Sequence, residues 1–155
     1  MSLTTDVLQA VTDHAAALGV FDRVGRHEPK SAPGNGLTAA VWVQRISPVP
    51  SSGLMSSTIR LVVQARIYTA MSREPQDDID PVASDAALAW VSALTGDLKL
   101  AGPAGGPGVA RSIDVRGIHG VPLEAQAGYV EQDSRLFRVY TLTIPVLIND
   151  VWEEA

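Results

Sequence analysis

Two stretches of the chain repeat apolar residues with the period of a helix. Over residues 4–19 they recur every three or four positions, so that Val7 and Val11 fall on one stripe and predict an amphipathic helix. The same period returns over residues 77–97, where Asp80 is the expected N-cap of a second helix. We expect the apolar stripe of each helix to pack against a sheet.

Five other segments have the composition of strands. The clearest is "STIRLVVQARIYT", residues 57–69, in which every second residue is apolar and one face is largely polar, as in a half-buried antiparallel strand. Together with the preceding "LTAAVWVQRI", residues 37–46, it predicts a long hairpin. Three further extended segments span residues 112–117, 123–132 and 135–148, with "DS" as a tight polar turn before the last.

The last of these strands is apolar on both sides, which predicts cover by the domain's own helices on one face and by something else on the other. Pro145 has no backbone N–H to donate to a neighbouring strand, so the end of this strand is expected at a sheet edge. The element order is then α-β-β-α-β-β-β. We expect an α+β fold in which two helices pack on an antiparallel or mixed sheet, as one two-layer domain over residues 1–155.

Composition and charge narrow the possible functions. A net charge of −5 argues against a general nucleic-acid binder, which needs a basic surface. Cysteine is absent, which excludes disulfides, thiolate nucleophiles and cysteine metal sites. No apolar run approaches the roughly 18 residues of a membrane span, and the first residues lack the features of a secretion signal. We therefore expect no membrane partner and synthesis in a cytoplasm.

Two glycine-containing stretches imitate nucleotide-binding motifs. "KLAGPAGGPGVARS", residues 99–112, resembles a phosphate-binding loop, but no Lys-Ser or Lys-Thr pair follows its glycines, and it runs from a helix into a strand instead of the reverse. "GNGLTA", residues 34–39, has dinucleotide-fold spacing but precedes a strand instead of following one. Both are interpreted as connections, and no cofactor is expected.

The sequence contains no recognisable motif for metal binding or catalysis. The acidic residues around the second predicted helix lack the glycine and glutamate of a calcium loop and suit the positive end of a helix. His14, His27 and His119 have neither the spacing of paired ligands nor a nucleophile signature nearby. The sequence therefore predicts no catalytic or metal-binding residues, and no enzyme.

A surface for assembly remains as the positive hypothesis. It combines arginines, which offer planar donors to carboxylates, with apolar residues of the last strand and the glycine-rich loop. The predicted interface residues are Arg60, Arg66, Arg73, Gly105, Gly106, Arg111, Arg135, Phe137, Arg138, Ile148 and Trp152. An ordinary core strand with a solvated polar face is the competing interpretation.

The segment order and several stretches together resemble the tail terminator proteins of long-tailed bacteriophages, in the style of phages of actinobacteria. The stretches are an N-terminal helix, "VGRHEPKSAPGNGLTAAVWVQRISPV", "STIRLVVQARIYT", a helix after "DDIDP", and the terminal "YTLTIPVLINDVWEEA". The likeness spans nearly the whole chain.

This resemblance implies a structural virion protein at the tail–neck junction. Such proteins form a ring, expected to be hexameric, on the last ring of the major tail tube protein. They end tube polymerisation and meet the head-completion proteins of the neck, and DNA passes through their channel without specific binding. Another neck or head-closure ring protein is the first alternative. A small cytoplasmic ligand-binding domain or enzyme is the second.

Overall fold

The computed structural model describes residues 3–29, 36–49, 58–71, 76–101 and 111–149. Two helices and six strands occur there, and a 3-10 turn at Gln76–Asp78 leads into the second helix. The elements are α1 (Leu3–Leu18), β1 (Arg23–Gly25), β2 (Thr38–Val49), β3 (Thr58–Ala70), α2 (Ile79–Thr95), β4 (Arg111–Ile113), β5 (Glu124–Gln132) and β6 (Arg135–Asn149). The predicted α+β class and element order are confirmed, and β1 is added within a segment predicted as a loop.

All six strands belong to one mixed sheet. Its order is β1-β2-β3-β6, and the far side of β6 is shared by β5 along its first part and β4 along its last. β1 runs parallel to β2, whereas every other pairing is antiparallel. The hairpin predicted from β2 and β3 is confirmed, with a bulge between Val43 and Arg45.

One face of the sheet, which we call the helical face, packs against α1 and α2. The alternate residues predicted for β3 lie there, and the core continues into β6 through Leu142, Ile144 and Val146. Trp90 of α2 is fully buried and donates its indole N–H to the carbonyl of Val11 at 3.3 Å, which joins the two helices. The apolar side of each helix and of β3, as predicted from the hydrophobic period, therefore faces the core.

The other face, which we call the open face, carries a smaller apolar cluster at one end. Tyr68 and Phe137 meet there edge to face, with ring centroids 6.1 Å apart, and both are almost fully buried. The chain after β1 runs beside them, since Gln132 donates to the carbonyl of Pro29 at 3.0 Å. Burial raises the pKa of Tyr68. On the second apolar side of β6, Phe137 and Val139 are thus buried by the chain itself, whereas Leu147 toward the end of the strand is half buried.

Two local expectations were wrong. Pro145 does not mark a sheet edge, because β6 lies between β3 and the β4–β5 side. Its carbonyl accepts the amide of Asp114 just beyond β4, so its missing N–H falls where the neighbouring strand changes from β5 to β4. Asp80 is not the N-cap of α2: that position is Asp78, without a side-chain capping bond, and Asp80 lies inside the first turn.

A candidate assembly surface

β5 is a strand that the rest of the chain leaves largely uncovered. It pairs with β6 in an unbroken register, yet most of its residues are exposed on both faces of the sheet, including Tyr129. Within the described residues no strand pairs with its outer side. An edge of nine residues without a bulge or proline presents free backbone donors and acceptors to another strand.

The opposite end of the sheet has a second free edge, on β2. β1 pairs only with its first three residues, and among the described residues nothing pairs with that side from Val41 onward. The far half of β2 is exposed at Gln44, Arg45 and Ile46. This edge differs from that of β5 in containing the bulge and Pro48.

Beside β5, a polar cluster ties the start of α2 to β6. Asp80 accepts hydrogen bonds from Arg138 Nε at 3.0 Å and from the Tyr140 hydroxyl at 2.8 Å. The hydrogen bond from Tyr140, followed by that from Arg138, lowers the pKa of Asp80. The Arg138 guanidinium also lies 4.7 Å from the ring centroid of the exposed Tyr129. Tyrosine and arginine held in this way are typical of protein interfaces.

The predicted residue Arg60 is a buried structural group. It reaches under the loop between β4 and β5, where it donates to the carbonyl of Val121, and its Nε lies 3.7 Å from Asp114 Oδ2. Asp114 also accepts the backbone amides of Ile118 and His119 at 2.9 and 3.0 Å. These contacts fix the loop across one end of the open face.

Arg66 lies on the middle of the open face, between its two covered ends. Its Nε donates to the Thr141 hydroxyl at 3.0 Å, and its guanidinium lies 5.6 Å from the ring centroid of Trp42. Gln64 and Thr143 complete this half-exposed polar strip. The side chains can contact a partner that approaches the open face.

The other predicted interface residues are placed differently. Arg111, Phe137 and Ile148 are buried within the chain. The guanidinium of Arg111 donates to the carbonyl of Leu100, while its Nε and Nη1 have no hydrogen-bond partner among the described residues. Arg135 is half buried, with its guanidinium 5.3 Å from the ring centroid of Phe137. Arg73, Gly105, Gly106 and Trp152 lie outside the described residues.

The structure therefore brings Arg138 and Arg66 to surfaces near the free strands, and it buries Arg60, Arg111, Phe137 and Ile148. As interface positions all of them stay predictions. Tyr129 and Arg45, which are exposed on the two free strands, were not among the predicted residues. Their exposure depends on how distant segments cover the sheet, and no local sequence pattern indicates it.

The described part of the chain contains no group of three or more His, Asp or Glu residues arranged to hold a metal ion. His14 is buried in α1 and pairs with Asp97 through Nε2 at 2.8 Å, a contact that ties α1 to the end of α2. Neither α1 nor α2 is long and apolar enough to cross a membrane.

No protein-family model and no curated protein sequence matches the chain. Among solved structures, it is similar to the sheath/tube terminator of PVC, an extracellular contractile injection system, in the extended state. The identity is 15%, the TM-score is 0.47, and the match covers 97% of this chain and 58% of the other. The chain thus spans less than two thirds of that terminator. A likeness at this level leaves the role of this chain to be argued from its own residues.

Proposed function

We propose that this chain is a structural subunit of a phage tail: it assembles as a ring on the end of the tail tube and stops tube polymerisation. The observation that carries the proposal is the free edge of β5, together with the exposure of that strand on both faces of the sheet. Soluble proteins protect such edges unless another chain covers them.

The position of the free edges suits a ring. They lie at opposite ends of one sheet, so a contact between two copies uses two different surfaces and repeats from copy to copy, which gives a ring when the rotation between copies closes. We expect six subunits, as the resemblance to tail terminators implies. The finer assignment to long-tailed phages of actinobacteria, and to the tail–neck junction of the virion, rests on that resemblance as well.

The charge and the sites described above suit this role. With a net charge of −5, the ring would not retain DNA that passes through its channel. A hollow of about 340 Å³ lies beside Asp80 and Tyr129. Its charged groups, Asp80 and Arg138, already bond each other, so the hollow is better suited to stiffen a surface than to hold a small ligand. The head-completion proteins of the neck are the proposed partners on the ring's other side.

A tube-capping assay tests the proposal. The major tube protein of the same particle is polymerised with increasing amounts of this chain, and tube lengths and ends are measured by negative-stain electron microscopy. We expect shorter tubes, each with extra density at one end. Tubes of unchanged length with bare ends would contradict the proposal, and binding to head-completion proteins alone would instead indicate a neck ring.

A further inference from the structure

The two free edges have matching strand directions. β2 and β6 run the same way because each is antiparallel to β3, and β5 is antiparallel to β6. If a second copy is placed beside the first with its sheet in the same orientation, β2 of one meets β5 of the other as an antiparallel pair. Such strand addition gives affinity through backbone hydrogen bonds.

The charges on the two edges are complementary. β5 carries Glu124 and Glu131 and contains no lysine or arginine, whereas the exposed charge on β2 is Arg45. Glu124 pairs with Thr143, which pairs with Gln64, and Arg45 pairs with Val62. Because Gln64 and Val62 are two residues apart on β3, Glu124 and Arg45 lie on the same face, the open face.

We propose that the first residues of β5, 124–127, pair along their outer edge with residues 41–45 of β2 from a second copy of this chain, with Glu124 beside Arg45 of that copy. β1 pairs with β2 up to Ala40, so only the first part of β5 can join this contact, and Pro48 limits the free part of β2 at its other end. These two limits and the bulge at Gln44 restrict the register in which an incoming strand can pair. The inference rests on the ring in the proposed function and defines its subunit contact.

Charge reversal tests the contact. Glu124→Arg and Arg45→Glu each place like charges together, and each should raise the protein concentration needed for assembly about fivefold or more. The double variant restores the pair with opposite polarity and should assemble as the wild type does. Arg116→Glu, which changes the charge of an exposed loop residue by the same amount, should leave assembly unchanged. Equal losses in all four variants would overturn the proposed contact.

Cysteine cross-linking gives a second test, because the natural chain has no cysteine. In one subunit positions 45 and 124 are three strand spacings apart, roughly 14 Å, which is too far for an internal disulfide. The double variant Arg45→Cys with Glu124→Cys should therefore oxidise to a ladder of covalent oligomers that ends at the ring number. The single variants should not form this ladder.

The outcomes separate this inference from the proposed function. Rings that form and cap tubes without any cross-link ladder would overturn the β5–β2 contact and leave the capping function intact. A ladder that stops at the dimer would indicate that β5 pairs with β5 of a second copy, which also overturns the contact. A wild-type protein that stays monomeric with and without tube protein contradicts both proposals.

Discussion

The two faces of the sheet are covered in different ways. On the helical face, α1 and α2 bury one continuous apolar core that runs from β2 across β3 to β6. On the open face, a small cluster around Phe137 covers one end and the loop held by Asp114 covers the other, with the Arg66 strip between them. The helical face is stabilised by apolar area, and the open face by a few specific contacts between residues far apart in sequence.

This difference explains where the molecule can accept partners. The helices cover most of the helical face, apart from the Asp80–Arg138 cluster beside β5, whereas the open face exposes its middle and continues onto the uncovered strand β5. The comparison can be tested by substitutions that affect one face at a time.

The largest effect is expected on the helical face, for Trp90→Ala. The side chain is fully buried between the two helices, so its removal leaves a cavity, and we expect a loss of about 3–5 kcal/mol in the free energy of unfolding. Urea denaturation measures it. Leu88→Ala, on the exposed side of the same helix, is the control and should change stability by less than about 0.5 kcal/mol. Similar losses for both would contradict the assigned core.

The second effect is on the open face, for Asp114→Ala. This change leaves the buried Arg60 guanidinium without its carboxylate and two loop amides without their acceptor, so we expect a loss of about 3 kcal/mol. Asp85→Ala removes the same charge from an exposed position of α2 and should have little effect. If the urea midpoint of unfolding is the same for Asp114→Ala as for the wild type, these contacts do not hold the loop.

A smaller effect is expected for Phe137→Leu, at the other end of the open face. The substitution keeps an apolar side chain but removes the edge-to-face contact with Tyr68, and we expect a loss of about 1 kcal/mol. Since Phe137 is buried within the chain, the folded variant should have the same native mass as the wild type. A folded variant that fails to assemble would show that Phe137 contacts a partner, as the sequence analysis predicted.

The smallest effect is expected for Asp80→Asn. The folded-state pKa of Asp80 is lowered, so its ionised form stabilises the fold above the unfolded pKa, and this contribution is lost as the pH falls through the folded value. Because the carboxylate is largely exposed, the difference from wild type at pH 7 should stay below about 1 kcal/mol. It should vanish in acid below both pKa values. Unfolding curves recorded across that range check this, and a difference that grows on acidification would be inconsistent with the assignment.

The sequence predicted the parts of the fold that depend on local patterns. The helices, the β2–β3 hairpin and the face of Ile59 to Ile67 follow from periodicity, and the tight turn before β6 is confirmed by positive φ at Asp133 and Ser134. β1 is only three residues long and carries no such signal. The pairing of β6 on both sides, which makes Pro145 internal, depends on contacts between distant segments.

The candidate surface was less predictable for the same reason. Arginines were predicted at the interface because of their chemistry, but whether an arginine is buried or exposed depends on which loop crosses it. Arg60 meets Asp114 and Val121, more than 50 residues away, whereas Arg66 on the same strand and the same face is left half exposed. The position of β5 at an edge likewise depends on the pairing of distant strands.

The native mass of the purified chain, measured alone and in the presence of tube protein, tests the central claim most directly. We expect a closed ring of six subunits, either in the free protein or on the ends of tubes. A monomer that is unaffected by the tube protein would contradict it.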